Sequence, residues 1–193
     1  NVEVIEPEFL CCGHALKNIG NMKLYKKIAC KNLDLMPGDI DYIITDCASC
    51  LMSLKEYSEI LEGSYKQKAE ELNDKIISIY ELLEKIEYCC DKQLPNIVGY
   101  HNPCANRFNS EEDTICSLLK KSKNTKLVLL RDKQECCGAS LPFAMQNKEL
   151  SLKISENNSE KFINSAVDII LTSCPLCFIG LKRGLLSKKS SIE

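Results

Sequence analysis

The chain has 193 residues, 13 of them cysteine, and a formal charge of −2; that length can bury a core without disulfide staples, so size leaves the cysteines unexplained. Of its 25 basic residues only Arg107, Arg131 and Arg183 are arginine, which disfavours a nucleic-acid partner. The apolar runs, such as Leu127 to Leu130 and Ile169 to Leu171, are far shorter than the ~20 residues that cross a bilayer, and no membrane span is expected.

The chain opens at Asn1, without methionine, inside an apolar run at 2–6 that reads as a strand, so further sequence is expected upstream. Cys11-Cys12-Gly13 comes next, then a helix at about 14–31, a strand at 42–46, Cys47-Ala48-Ser49-Cys50 and a helix at 50–62. Residues 65–88 have apolar spacing of three and four through Tyr65, Ala69, Leu72, Ile76, Ile79 or Tyr80, Leu83 and Ile86. This predicts one amphipathic helix that connects two halves and packs on a core, the stripe being short for a coiled-coil seam. A strand at Ile97-Val98-Gly99-Tyr100 leads into His101-Asn102-Pro103-Cys104, followed by a helix at 111–122 and a strand at 126–131. Cys136-Cys137-Gly138, a helix at 140–155, a strand at 167–172, Cys174-Pro175-Leu176-Cys177 and a helix at 176–186 complete the series.

Two halves of this series repeat. Asp41-Tyr42-Ile43-Ile44-Thr45-Asp46-Cys47 answers to Asp168-Ile169-Ile170-Leu171-Thr172-Ser173-Cys174, and 34 residues separate Cys12 from Cys47 while 36 separate Cys137 from Cys174. The predicted class is therefore α/β: two pseudo-repeated, Rossmann-like βαβ domains with parallel sheets flanked by helices. The cysteines fall at the carboxyl ends of the strands, where such sheets collect ligands. The expected division is a first domain at 1–64, a connecting helix at 65–94 and a second domain at 95–193.

The odd cysteine count, the absence of a secretory segment and the grouping into Cys-Cys and Cys-x-x-Cys favour an intracellular metal site over a disulfide framework. In the second half Cys104, Cys136, Cys137, Cys174 and Cys177 give five thiolates, one more than a closed tetrahedral zinc site uses. The neighbours Cys136 and Cys137 project in different directions, which suits two metals of an iron–sulfur cluster better than one ion. Structural zinc and inert buried thiols are the competing readings. Pro175 fits a first helical position, which would aim a positive helix end at the thiolates, and Gly138 lets the backbone approach closely or take positive φ, with Gly13 in the equivalent place. His14 and His101 adjoin cysteines and are candidates for hydrogen bonding or a proton role, or are structural histidines. Arg107 could balance cluster charge or sit in solvent. Cys30, Cys89, Cys90 and Cys116 read as ordinary partly buried thiols. Gly-x-Gly-x-x-Gly, Gly-x-Ser-x-Gly and P-loop motifs do not occur.

The pattern Cys104-x31-Cys136-Cys137-Gly138-x35-Cys174-Pro175-Leu176-Cys177, with Tyr100-His101-Asn102-Pro103-Cys104, resembles the CCG or cysteine-rich domain. That domain occurs in the cysteine-rich subunit of heterodisulfide reductase and in the iron–sulfur subunits of glycolate oxidase, anaerobic glycerol-3-phosphate dehydrogenase and lactate-utilisation complexes. The resemblance implies a tandem domain whose five-cysteine sites hold a [4Fe-4S] cluster of the non-cubane type, with zinc in some relatives. One departure is that Cys11 has ten residues before it, so the first site keeps Cys11, Cys12, Cys47 and Cys50 without a lone cysteine; cluster, zinc or an empty site are all open there. The implied function is an electron-transfer subunit, cytoplasmic or peripheral at the inner membrane face through partners, that serves a flavoprotein dehydrogenase together with a ferredoxin-type iron–sulfur domain. The alternatives are a thiol–disulfide reductase subunit like that of heterodisulfide reductase and a zinc-stabilised interaction module.

Overall fold

The computed structural model describes residues 3–5, 11–88, 95–108, 111–122, 125–130 and 136–192. The chain divides into two compact units, one made of the chain up to Thr45 with Ser49–Ile77, the other of Asp46–Ala48 with the chain from Ser78 onward. Both alternate strands with helices, so the architecture is α/β, as the sequence pattern predicts.

In the first unit helix α1 (His14–Asn18) starts directly after Gly13 and ends at a turn through Gly20, φ 77°. Asn21 then caps α2 (Met22–Leu35), its side chain accepting from Leu24 N at 3.1 Å. The single helix expected at 14–31 is therefore two, because a glycine in the left-handed region followed by an N-capping asparagine ends one helix and starts the next. Strand β1 (Ile43–Thr45) leads into α3 (Ala48–Lys55) and α4 (Tyr57–Ile60). Tyr25, Leu33, Leu51, Tyr57, Leu72 and Ile76 form the centre of this unit's core.

The amphipathic helix expected over 65–88 is not one helix. Helix α5 (Gly63–Asn73) ends at Asp74, β2 (Ile76–Ser78) pairs with β1, and α6 (Ile79–Lys85) starts afresh. The reason is local. Ser78 and Glu81 form a capping box, Ser78 Oγ accepting from Glu81 N and Glu81 Oε2 from Ser78 N, and the β-branched pair Ile76-Ile77 is buried in the strand. Residues 3–5, within the expected strand at 2–6, have no regular structure; the rest of that run lies outside the described residues.

The second unit is built on a parallel sheet of order β4-β3-β5, from β3 (Ile97–Tyr100), β4 (Lys126–Leu129) and β5 (Ile169–Leu171). Val98 lies opposite Leu127 on one side and Ile169 on the other, and His101 N extends the pairing to Leu171 O at 2.9 Å. A short 3-10 helix (Cys104–Phe108) and α7 (Glu111–Lys120) follow β3, α8 (Leu141–Gln146) and α9 (Lys148–Asn164) follow β4, and α10 (Pro175–Ser187) follows β5. Phe162, Val167 and Leu181 pack against the sheet residues Ile97, Val128 and Ile170. The helix expected at 140–155 is broken at Asn147 and runs on to Asn164. Among the described residues no helix is long and apolar enough to cross a membrane.

Candidate iron–sulfur centre

Three connections at the carboxyl ends of the parallel strands carry the five candidate ligands of the second unit: Cys104 follows β3, Cys136 and Cys137 follow β4, and Cys174 and Cys177 flank the start of α10. Cys174 is the N-cap of α10 with Pro175 at the first helical position, where proline's missing N–H costs nothing. The eleven described cysteines are all thiols, none in a disulfide.

The sulfurs of Cys104, Cys136, Cys137, Cys177 and Cys174 form one hydrogen-bonded row. Cys136 bonds with Cys104 and Cys137, Cys137 with Cys177, and Cys177 with Cys174. The row continues to Cys47, which groups with this unit and bonds to Cys174. Cys137, Cys174 and Cys177 are buried, while Cys104 and Cys47 are half-buried and Cys136 is exposed. Backbone amides also face the sulfurs: Gly138 N–H donates to Cys136 Sγ at 3.4 Å, Ala139 N–H to Cys137 and Cys177 N–H to Cys174.

The electrostatics follow from these contacts. Hydrogen bonds from Cys104 and Cys137, with smaller help from Gly138 N–H and the charge of His101, hold the Cys136 thiol far below its ordinary range. Cys137 is pushed up chiefly because it donates to Cys136, and Cys177 is pushed up by its bonds to Cys137 and Cys174 and by burial. At Cys174 the bond from Cys177 lowers the thiol, but Cys47 and burial outweigh it. The row therefore carries one favoured thiolate and several protonated donors. Ionising the rest requires positive charge among the sulfurs, which is what soft metal ions supply, releasing the protons. Among the described residues no three or more histidine, cysteine or acidic side chains are arranged for a single metal ion. An extended row of sulfurs matches the donor set of a cluster of several metal atoms, and in that sense the residues fit such a group.

The other candidates fall as follows. In the first unit Cys11 is exposed, and Cys12 and Cys50 are half-buried. Gly13 and Gly138 both take positive φ, 84° and 75°, and a Cβ on Gly138 would stand 2.9 Å from Ser151 O. His14 Nδ1 lies 3.2 Å from Ser53 Oγ. His101 is buried edge-on to Phe162, with ring centroids 6.4 Å apart. Arg107 lies in the short 3-10 helix and its side chain is outside the described residues, as are Cys89 and Cys90 altogether. Cys30 and Cys116 are pushed up by burial, in keeping with ordinary packed thiols.

Sequence reasoning missed the polar groups behind the site. Tyr100 Oη and Asn106 Nδ2 each lie 3.3 Å from Ser173 Oγ and fix the residue before Cys174. Ser151, Ser155, Asn158 and Ser159 form a buried face of α9, and Arg183 Nη2 donates to Ser151 Oγ and Ser155 Oγ, both at 2.7 Å. The available signal was that row of small polar residues at helical spacing, where a packed helix ordinarily shows an apolar stripe.

The cysteine-rich domain model, CCG, matches residues 1–55 and 98–182. The chain is 27% identical over 176 residues to lactate utilization protein A of Geobacillus thermodenitrificans, covering 89% of this chain and 73% of that protein. It is 25% identical over 191 residues to the probable glycolate oxidase iron-sulfur subunit of Bacillus subtilis, covering 94% of this chain but 43% of that protein. Over 197 residues it is 26% identical to a dihydromethanophenazine:CoB–CoM heterodisulfide reductase subunit of Methanosarcina acetivorans, covering 95% of this chain and 46% of that protein. The chain thus spans less than half the length of the last two. With the paired Cys-Cys-Gly turns, the matched spacings and a family match over most of its length, the chain belongs to the cysteine-rich (CCG) domain family.

Proposed function

We propose that this chain is the cluster-binding part of an iron–sulfur electron-transfer subunit, cytoplasmic, and that Cys104, Cys136, Cys137, Cys174 and Cys177 hold a [4Fe-4S] cluster of the non-cubane type. The observation that carries this reading is the single hydrogen-bonded row joining all five sulfurs. When bound, such a cluster supplies one-electron transfer, its potential tuned by hydrogen bonds to sulfur, charge and exposure. The chain's own contribution is to bury three of the five thiols, aim amide N–H groups at them and place the Cys174 N-cap at the positive end of α10. The names of two relatives, a lactate utilization protein and a glycolate oxidase iron-sulfur subunit, support service to a 2-hydroxy-acid dehydrogenase through a flavoprotein partner and a ferredoxin-type domain. In the first unit Cys11, Cys12 and Cys50 remain candidate ligands for a cluster or for zinc, as does Cys47, which here adjoins Cys174.

Anaerobic reconstitution with ferrous iron and sulfide tests the proposal. Bound iron with acid-labile sulfide and broad visible absorbance is expected, and Cys136→Ser or Cys174→Ser should lose most of it. Full occupancy by zinc with no sulfide would overturn it. A second reading, a thiol–disulfide reductase subunit, draws on the heterodisulfide reductase relative. It gains the lead if the loaded chain reduces a small disulfide from a chemical electron donor and Cys137→Ser abolishes that activity.

A further inference from the structure

Three consecutive carbonyls of the Cys136-Cys137-Gly138 turn point away from the sulfurs and into the polar face of α9. Asn158 Nδ2 donates to Cys136 O at 3.1 Å, Ser155 Oγ to Cys137 O at 3.0 Å and Ser151 Oγ to Gly138 O at 2.6 Å. Arg183 sets the polarity of these bonds. A guanidinium can only donate, so Ser151 Oγ and Ser155 Oγ accept from Arg183 Nη2 and turn their single protons toward backbone carbonyls, that of Ser151 to Gly138 O and that of Ser155 shared between Cys137 O and Ser151 O, both at 3.0 Å. Each peptide plane is thereby fixed with its carbonyl on α9, while the amides of Gly138 and Ala139 face Cys136 and Cys137. All three side chains on α9 are buried, and the bonds to Cys137 O and Gly138 O are buried as well, so water does not compete for those two carbonyls.

The first unit holds the corresponding turn by other means. Asn32 Nδ2 donates to Cys11 O at 3.2 Å across 21 positions of sequence, as Asn158 does to Cys136 O across 22. The position of Ser155 is filled there by Ala29, and Cys12 O instead accepts from Tyr57 Oη at 2.8 Å. Tyr57 lies seven residues past Cys50, just as Gly184 lies seven past Cys177. A Cβ on Gly184 would collide with Ser155 O, so the second unit has a hydroxyl on one helix and no side chain on the other. The first unit reverses that arrangement and keeps the bond to the same carbonyl.

We propose that Ser151, Ser155 and Asn158, tied by Arg183, are positioning residues for the cluster: they clamp the Cys-Cys-Gly carbonyls so that the turn's amides stay aimed at the Cys136 and Cys137 sulfurs. Asn32 and Tyr57 clamp Cys11-Cys12 in the same way. The role in tuning rests on the cluster-binding reading, whereas the clamp itself is a property of the protein. Amide donors stabilise the more negative, reduced state of an iron–sulfur centre, so loosening them lowers its midpoint potential.

The test uses the whole chain, unaltered and as Ser155→Ala and Asn158→Asp, with circular dichroism melting to show that each variant folds. In the loaded variants the second centre should titrate at a lower potential, with an altered electron paramagnetic resonance signal at unchanged iron content. In the metal-free variants, iodoacetamide should modify buried Cys137, which reacts only when the turn opens, about fivefold faster, the ratio set by one net hydrogen bond, while buried Cys116 in α7 keeps its rate. Unchanged potential, spectrum and alkylation rates would overturn the clamp, as would equal acceleration at Cys116, which signals general loosening. If the unaltered chain takes up no iron and sulfide, the cluster-binding reading fails, and the alkylation rates alone decide for or against the clamp.

Discussion

Tyr25 and Tyr57 show how single side chains secure the first unit's cysteine turn. They meet edge to face with ring centroids 6.0 Å apart. Tyr25 Oη donates to Ser53 O at 3.2 Å, and Tyr57 Oη donates to Cys12 O. Burial pushes the Tyr25 phenol up to about 12 and raises Tyr57 likewise, against about 10 in an unfolded chain. A folded pKa above the unfolded one means that the native state holds the proton longer. The associated stability is complete below pH ~10 and is lost as pH rises through ~12. The urea midpoint should therefore fall over that window. Tyr25→Phe should lower the neutral-pH stability by about 1 kcal/mol and make the alkaline decline shallower. An unaltered decline in the variant would show that Tyr25 does not report through its hydroxyl.

At the scale of elements, the interruption at 74–79 is the main departure from sequence expectation. The apolar spacing from Tyr65 to Ile86 satisfies a continuous helix, yet Ile76 and Ile77 are recruited into β2 beside β1, with Ile43 N bonded to Lys75 O at 2.8 Å. Ser78 and Glu81 then start α6, which packs on α7 with Thr114 Oγ1 bonded to Glu84 Oε2 at 3.3 Å. Sequence reasoning missed the Ser78-x-x-Glu81 box, because the apolar stripe runs through it and only the position of β1 makes a strand there worth more than another turn of helix. Ser78→Ala removes a buried acceptor for Glu81 N and should cost about 1–2 kcal/mol in chemical denaturation. Glu81→Gln, whose amide oxygen can still accept from Ser78 N, should cost clearly less. Equal midpoints for Ser78→Ala and the unaltered chain would show that the box does not hold α6.

At the scale of the molecule, the chemistry is concentrated in thiols and amides. A cluster handles single electrons, whereas taking a hydride from an alcohol calls for a cofactor such as flavin. The flavin-free loaded chain should therefore reduce no dye with lactate, glycolate or glycerol 3-phosphate, and should pass electrons once a flavoprotein dehydrogenase partner is added. Dye reduction by the chain alone would end the electron-transfer assignment. The sequence by itself determined the α/β alternation, the repeat, the cysteine groups at strand ends and Pro175 at the start of α10, because each depends on residue order and local backbone preference. Only the tertiary structure decided that α9 turns a polar face to the Cys136-Cys137-Gly138 carbonyls, that Arg183 orients its serines and that Cys47 stands beside Cys174. Those contacts join residues distant in sequence, and a hydrogen bond is specified by where two groups meet in space, which periodicity and spacing along one chain do not encode.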